Sequence, residues 1–284
     1  MKNISCVMMV DYFHKYMKTS LNISSKFNHI YLLATPQFKS YENENITYVD
    51  IGDYNDLEFT NSLKSNFINY GAKDKESEIF WLSRIPKLKQ FMKDFNLESV
   101  FMIDSDNILL FDINNYPYAN RNALCISKNW SEYHNSASIH SALLTQDFCE
   151  KYEKLYTDIF INKSKFHLVE PKIEFHKKNP GGIADMTIYY HLYSENILQF
   201  DNLYDPKTVE GYKSVFINNY STSEGYSNQD QYQLKNKFLK IYNKNGSNFI
   251  YDKINNEYLK ILNVHYQGKA KKKLNSLLKY SLGL

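Results

Sequence analysis

The chain has 284 residues, more than the usual ~100–200 of one domain but within reach of a single α/β domain with a C-terminal extension. Its 43% hydrophobic and 23% charged composition excludes a wholly disordered chain and a fibre. With 34 basic against 31 acidic side chains, a net +3, it is too balanced for a protein that binds by neutralising nucleic-acid phosphates, so no nucleic-acid partner is expected.

In chain order, the apolar run Ser5 to Val10 reads as a strand, Tyr12 to Phe27 as a helix, and His29 to Ala34 as a second strand closed by Thr35-Pro36. Ile46 to Ile51 follows, then a helix from Asp56 to Tyr70 stopped at Gly71. Between Ile79 and Phe95, Trp81, Ile85, Leu88, Met92 and Phe95 recur at three- and four-residue steps, with Arg84, Lys87, Lys89 and Lys93 between them. Pro86 lies inside that helix and should kink it or mark a late start. Val100 to Ile103 is continuously apolar, the pattern of a central strand buried on both faces. Strand signals at Ala123 to Ile126 and Ala137 to Leu144 precede a helix from Gln146 to Phe160. Asn243 to Ser247 reads as a hairpin turn between Phe238 to Tyr242 and Asn248 to Tyr251. Alternating strands and helices predict a mainly parallel sheet flanked by helices, and no repeat or linker divides the chain, so one domain spans residues 1–284. The stretch from about Ser194 to Lys260 carries no functional assignment.

Cys6, Cys125 and Cys149 are odd in number and lack metal-ligand spacing. With no signal-peptide run and no apolar span of about 18 residues, a reduced, cytoplasmic protein is expected. Aromatic residues make up 16%, including 25 Tyr, which suits stacking on sugars or nucleobases as well as ordinary core packing. Only 9 residues are Gly, so the adjacent Gly181-Gly182 pair stands out.

The apolar strand stops at Asp104-Ser105-Asp106. In open α/β sheets ligands bind outside the carboxyl ends of strands, and two carboxylates on a turning chain can converge on Mg²⁺ or Mn²⁺. The segment resembles the Asp-x-Asp element of GT-A glycosyltransferases, in which the motif holds a divalent metal bridging the donor's diphosphate. Asp104-Ser105-Asp106-Asn107-Ile108 also comes within one residue of the haloacid-dehalogenase phosphatase signature, in which Asp104 would be the nucleophile. That family carries its motif on the first strand, whereas this one lies about 100 residues in.

Near the other end, His265, Gly268 and Lys271 fit His-x-x-Gly-x-x-Lys, which resembles the C-terminal signature of family 8 and related bacterial GT-A enzymes. The resemblance implies that His265 joins Asp104 and Asp106 on Mn²⁺ or Mg²⁺, while Gly268 and Lys271 approach the diphosphate. The chemistry agrees: neutral imidazole ligates Mn²⁺, glycine lets backbone come close to phosphate, and lysine neutralises the leaving group. In the same family Asp185 would be the catalytic residue nearest the reacting sugar, as general base or as a ligand to its hydroxyls, after Gly181 and Gly182 that let the loop pack against it, and Arg84 would sit near the donor. Asp185 also precedes the helix-like Met186 to Tyr193 and could serve as an ordinary cap, just as Arg84 could belong to a solvated basic face. The fuller Ala-Asp-Gln-Asp pattern of family 8 is replaced by Ala184-Asp185-Met186-Thr187. His140 and His191 lie beside segments that border the expected pocket.

The resemblance therefore implies a metal-dependent transferase using a nucleotide-sugar, UDP-linked, on a bacterial surface glycan or glycolipid acceptor such as lipooligosaccharide or capsule. It divides the chain into a nucleotide-sugar half (1–110), an acceptor half (111–264) and a donor-closing segment with a basic tail (265–284). In that tail Leu274, Leu277, Leu278 and Ser281 share one helical face beside Lys272, Lys273 and Lys279, which fits either the cytoplasmic face of the inner membrane or docking on the domain. A phosphatase and a glycan-binding protein without turnover are the alternatives.

Overall fold

A computed structural model describes residues 4–12, 14–55, 57–71, 73–127, 132–220, 231–235, 238–267 and 270–271. The first half alternates β1 (Ser5–Val10), α1 (Lys15–Ser24), β2 (Ile30–Ala34), β3 (Ile46–Asp50), α2 (Glu58–Asn66), α3 (Lys75–Asp94) and β4 (Ser99–Ile103). There follow β5 (Asn107–Leu109), β6 (Ala123–Ser127), β7 (Ser136–Thr145), α4 (Gln146–Tyr156), α5 (Glu170–His176), α6 (Asp185–Ser194) and β8 (Asp201–Asn202). The rest is β9 (Lys207–Val209), β10 (Tyr212–Val215), β11 (Leu234–Lys235), β12 (Phe238–Leu239), β13 (Ile241–Lys244), β14 (Ser247–Asp252), β15 (Glu257–Ile261) and β16 (Asn263–His265).

The main sheet runs β3-β2-β1-β4-β7-β6-β8, with only β7 antiparallel to its neighbours. Successive side chains of a strand point to opposite faces. In β1, Val7 and Met9 join one core with Leu88, Phe91, Tyr152 and Tyr189, while Cys6, Met8 and Val10 join the other with Met17, Leu21 and Phe111. In β4 the same division separates Val100 and Met102 from Phe101 and Ile103. Helices α3, α4 and α6 thus cover one face and α1 helps cover the other, which is why these strands are apolar throughout. Because β2 and β3 lie to one side of β1 and β4 to the other, strand order reverses at β1 and β4, and a crevice is expected at their carboxyl ends. The acidic turn follows β4 directly.

A second sheet, β13-β14-β15-β10-β9, occupies the region unassigned from sequence. Its core includes Ile250, Leu259 and Ile261, and reaches Ile23 of α1 and Ile108 of β5. The hairpin turn is Asn245-Gly246 between paired Lys244 and Ser247. Both turn residues have positive φ, 51° and 75°, as the two-residue turn that matches strand twist requires.

Four helices differ from their expected limits, α1 spanning Lys15–Ser24 rather than Tyr12 to Phe27. Helix α2 ends at Asn66, where Phe67 is already extended, rather than running to Tyr70. Helix α4 closes at Tyr156 and passes into a wider turn over Thr157–Ile161, marked by the Asn162 N–H donating to the Thr157 carbonyl. Helix α3 begins at Lys75, capped by the Asp74 carboxylate on the Ser77 N–H, and runs through Pro86, which therefore marks no late start. Proline has no N–H to give the carbonyl four residues back. That carbonyl, on Leu82, accepts instead from the buried Tyr152 hydroxyl at 3.0 Å. Tyr152→Phe should therefore lower stability by about 1–2 kcal/mol, the cost of leaving a buried carbonyl unpaired. An unchanged melting temperature would show that the hydroxyl is not needed there. The basic tail, residues 272–284, lies outside the described residues.

Candidate active site

Asp104, Ser105 and Asp106 leave β4 in a tight turn closed by the Asn107 N–H on the Asp104 carbonyl. From α3, Arg84 reaches both sides of the crevice: Nη1 donates to Asp104 Oδ1 and Nη2 to Asp185 Oδ2, each at 2.8 Å. Asp185 is the first residue of α6, where the helix dipole favours a carboxylate. Tyr189, one helical turn on, donates its hydroxyl to the same Oδ2 at 3.2 Å, and the Met186 N–H donates to Oδ1. Arg84 and Asp185 are both buried. Burial alone would push the guanidinium down, but Asp104 and Asp185 more than reverse it and hold Arg84 above its ordinary value. One planar fork thus ties together carboxylates far apart in sequence.

The C-terminal segment arrives by strand pairing. β16 runs antiparallel to β5 with His265 opposite Asn107, and the Tyr266 N–H donates to the Asp106 carbonyl. Two residues before His265, and so on the same face of the strand, the Asn263 amide donates to Asn107 Oδ1 at 2.9 Å and accepts from the Ile217 N–H at 2.7 Å. Asn107 in turn donates to the His140 carbonyl and to Ser141 Oγ. This buried amide network fixes the turn against β7 and β16 together.

The result is a charged cluster around Asp106. His265 Nε2 lies 3.5 Å from Asp106 Oδ1, and Lys271 Nζ lies 2.7 Å from Oδ2. Burial would raise the Asp106 carboxyl, but His265 and Lys271 outweigh it and hold it far below the carboxylate range. For His265, burial pulls the imidazole down while Asp106 and Asp104 pull it up, for a net rise. Lys271 also sits over the Tyr16 ring, 5.0 Å from its centre.

A divalent cation fits part of this arrangement. His265 Nδ1–H donates to the Asn218 carbonyl, so in the neutral ring Nε2 keeps its lone pair and faces Asp106. Two ligand atoms each about 2 Å from a metal can stand 3.5 Å apart. Asp104 keeps only Oδ1 on Arg84, with no partner on Oδ2 among the described residues. Among those residues, however, no group of three or more His, Cys, Asp or Glu is gathered as a ready metal site. The structure pairs Asp106 with His265 and turns Asp104 toward Arg84. Because Nε2 must be deprotonated to ligate, and its pKa is raised, a divalent cation held there would release a proton on binding and bind more tightly as pH rises through that raised value. Calorimetry in buffers of different ionisation enthalpy would measure this, and a pH-independent affinity would count against His265 as a ligand.

Gly181 and Gly182 bring the loop before α6 against the end of the loop after α2. A Cβ on Gly182 would lie 2.5 Å from the Tyr70 carbonyl oxygen, and Gly181 has φ +118°, so both positions need glycine. The Ile183 N–H donates to that same Tyr70 carbonyl and holds Asp185 in place. The close approach is thus to protein backbone. Gly268 lies outside the described residues. Beside the cluster, a small cleft of about 30 Å³ is lined by His265, His140, Ser138, Tyr204, Met186 and Gln267 among others. His140 borders the cleft, whereas His191 is packed away in α6, with burial pushing its imidazole down to about 4. The partners Tyr189, Asn107 and Asn263 were not singled out from sequence. Tyr189 stands at i+4 from Asp185 and Asn263 at i−2 from His265, the spacings that share a face of a helix and a strand.

No protein-family model and no curated protein matches the chain. Among solved structures it is similar to mouse xyloside xylosyltransferase 1, at 12% identity over 70% of this chain and 84% of that one, with a TM-score of 0.49. It is similar at 12% identity to the galactosyltransferase LgtC in complex with donor and acceptor sugar analogs, over 67% and 70% of the two chains, with a TM-score of 0.43. It is likewise similar at 12% identity to the PaToxG glycosyltransferase, over 68% and 69%, with a TM-score of 0.41. At these scores the functional reading rests on the chain's own site.

Proposed function

We propose that the chain is a metal-dependent glycosyltransferase of the GT-A type, transferring a sugar from a nucleotide-sugar to a glycan or glycolipid acceptor. The observation that carries this reading is the meeting of His265 and Lys271 with Asp106 at the carboxyl end of β4, beside the Asp104–Arg84–Asp185 chain. A phosphatase of the dehalogenase type would carry its nucleophilic Asp after the first strand, whereas Asp104 follows β4. A binding protein without turnover gives no reason to bury so many charges at one crevice.

In this reading Asp106 and His265, with the second oxygen of Asp104, hold Mn²⁺ or Mg²⁺. That cation supplies Lewis-acid charge for the donor diphosphate when bound. Lys271 leaves Asp106 for the departing diphosphate and neutralises charge that grows as the sugar bond breaks. Arg84 keeps Asp104 and Asp185 at a fixed separation. Asp185 takes the sugar side, orienting a hydroxyl of the sugar or the acceptor. Residues 1–110 form the nucleotide-sugar half, 111–264 the acceptor half, and 265–284 close over the donor. UDP is the first nucleotide to test and a bacterial surface glycan the first acceptor class. No described helix is long and apolar enough to cross a membrane; the basic tail is the segment whose charge suits peripheral contact with an anionic membrane surface.

A thermal-shift panel of nucleotide-sugars with and without Mn²⁺ tests the reading, because a ligand that binds only the folded chain raises its stability. A rise in melting temperature that needs both donor and metal is expected. No shift with any nucleotide would refute it. Asp185→Asn should lower kcat by about 100-fold while donor affinity changes by less than about threefold. A normal kcat with a lowered melting temperature would reduce Asp185 to a structural carboxylate in the first turn of α6.

A further inference from the structure

The second sheet supplies no residue to the charged cluster, and its two faces differ. Pairing puts Val215, Ile250, Leu259 and Ile261 on the face that joins the core with Ile23 and Ile108. The other face carries the rings of Tyr212, Tyr242, Phe249, Tyr251 and Tyr258. At one end of that face Val209 enters the core around Phe111 and Phe216, while at the other Tyr212 and Tyr258 are 43% and 42% exposed. Ile254, in the turn between β14 and β15, is 71% exposed. These three are among only seven large hydrophobic side chains exposed in the described residues, so apolar exposure is concentrated on this sheet.

Tyr258 lies 5.1 Å from both Tyr242 and Tyr251, centre to centre. Lysines lie over the rings. Lys244 Nζ is 3.4 Å from the centre of Tyr258, Lys240 Nζ 4.6 Å from that of Tyr242, and Lys260 Nζ 5.3 Å from that of Tyr212. Such contacts lay the lysine stem along the ring and keep the ammonium at the surface. No strand position on this face of β9, β10 or β13 to β15 holds Asp or Glu. Lys260 is drawn to Glu210 at 2.7 Å, beyond the strands, which leaves Lys240 and Lys244 as the charges facing outward. A sugar stacking on Tyr258 would have to displace the Lys244 ammonium from the ring. A layer of phosphates over hydrocarbon instead meets ammonium groups, tyrosine rings and an exposed isoleucine together.

We propose that this face docks on an anionic phospholipid bilayer, with Lys240 and Lys244 on lipid phosphates and Tyr212, Tyr258 and Ile254 at the headgroup boundary. The inference stands on the sheet's own residues and adds a place of work to the transferase reading. Lys260 precedes His265 by five residues, ~17 Å of chain at most, so a docked sheet brings the crevice close to a lipid-linked acceptor.

Co-sedimentation of the full chain with vesicles of phosphatidylcholine, alone or with roughly one third phosphatidylglycerol, tests it without nucleotide or metal. Wild-type protein should bind the anionic vesicles and not the neutral ones. Lys240→Glu/Lys244→Glu should weaken that binding about 30-fold or more, roughly fivefold for each charge lost. Ile254→Ser should weaken it about fivefold, and this exposed turn position decides the matter if the lysine variant does not fold. Binding to neither vesicle, or to both alike, would overturn the inference, as would undiminished binding in Ile254→Ser or in a folded lysine variant. Binding lost in Lys272→Glu/Lys273→Glu but kept in the sheet variants would give the contact to the tail instead. A dimer in sedimentation velocity that the lysine variant abolishes, with no vesicle binding, would give the face to a second copy. Each of these failures leaves the donor-dependent thermal shift, and with it the transferase reading, as it stands.

Discussion

Asp106→Ala is expected to lower transfer by about 10³-fold or more while the protein still folds. Three segments converge on this carboxylate: the turn after β4 carries it, β16 brings His265 to 3.5 Å, and the following segment brings Lys271 to 2.7 Å. Its loss removes a ligand for the cation and the charge that positions Lys271, the main electrostatic provisions for a departing diphosphate. The effect on stability should follow pH. A carboxylate whose folded pKa is depressed contributes stability that is fully present above its unfolded value, about 3.9, and is lost as pH falls through the folded one. The melting-temperature gap between wild type and Asp106→Ala should therefore be full at neutral pH and shrink below about pH 4. A variant with more than a tenth of wild-type transfer would remove Asp106 from the reaction.

The second large effect is at Arg84. Arg84→Ala leaves Asp185 buried and Asp104 half-buried, both without their shared counter-ion, and breaking such a pair from one side costs about 3–5 kcal/mol. Arg84→Lys keeps the charge but cannot reach two carboxylates with a planar fork. Both variants should melt several degrees lower, with Arg84→Ala the worse, and both should lose transfer by about 100-fold or more. Arg84→Lys with normal turnover and stability would show that the two-sided contact is unimportant.

Much of the central sheet was legible because strands buried on both faces are apolar without interruption, as in Val100 to Ile103. The acidic turn was legible because polar residues end that run abruptly, and His265 because of its spacing to Lys271. Arg84 carried two readings, a place near the donor by resemblance and a solvated face by its setting among Lys87, Lys89 and Lys93; the solvated face is not what the fold makes of it, since Arg84 and Lys87 are buried, and Lys87 donates to Asn55 Oδ1 at 2.6 Å. That burial comes from neighbours packed on α3, which helical periodicity alone does not report. Helix α2 was read too long because Phe67, Ile68 and Tyr70 continue the apolar content after the backbone has become extended. Of the second sheet only the β13–β14 hairpin was legible, from its Asn-Gly turn; β9, β10 and β15 are short and partly exposed, with alternation too brief to register.

The most direct measurement is a crystal structure of the protein with UDP and Mn²⁺. Asp106 and His265 Nε2 should both lie about 2 Å from the metal, with Lys271 moved from Asp106 onto a phosphate oxygen. Asp104 should remain on Arg84 through one oxygen. A complex in which the metal and diphosphate bind elsewhere, or in which His265 stays beyond coordination distance with Lys271 still paired to Asp106, would contradict the account.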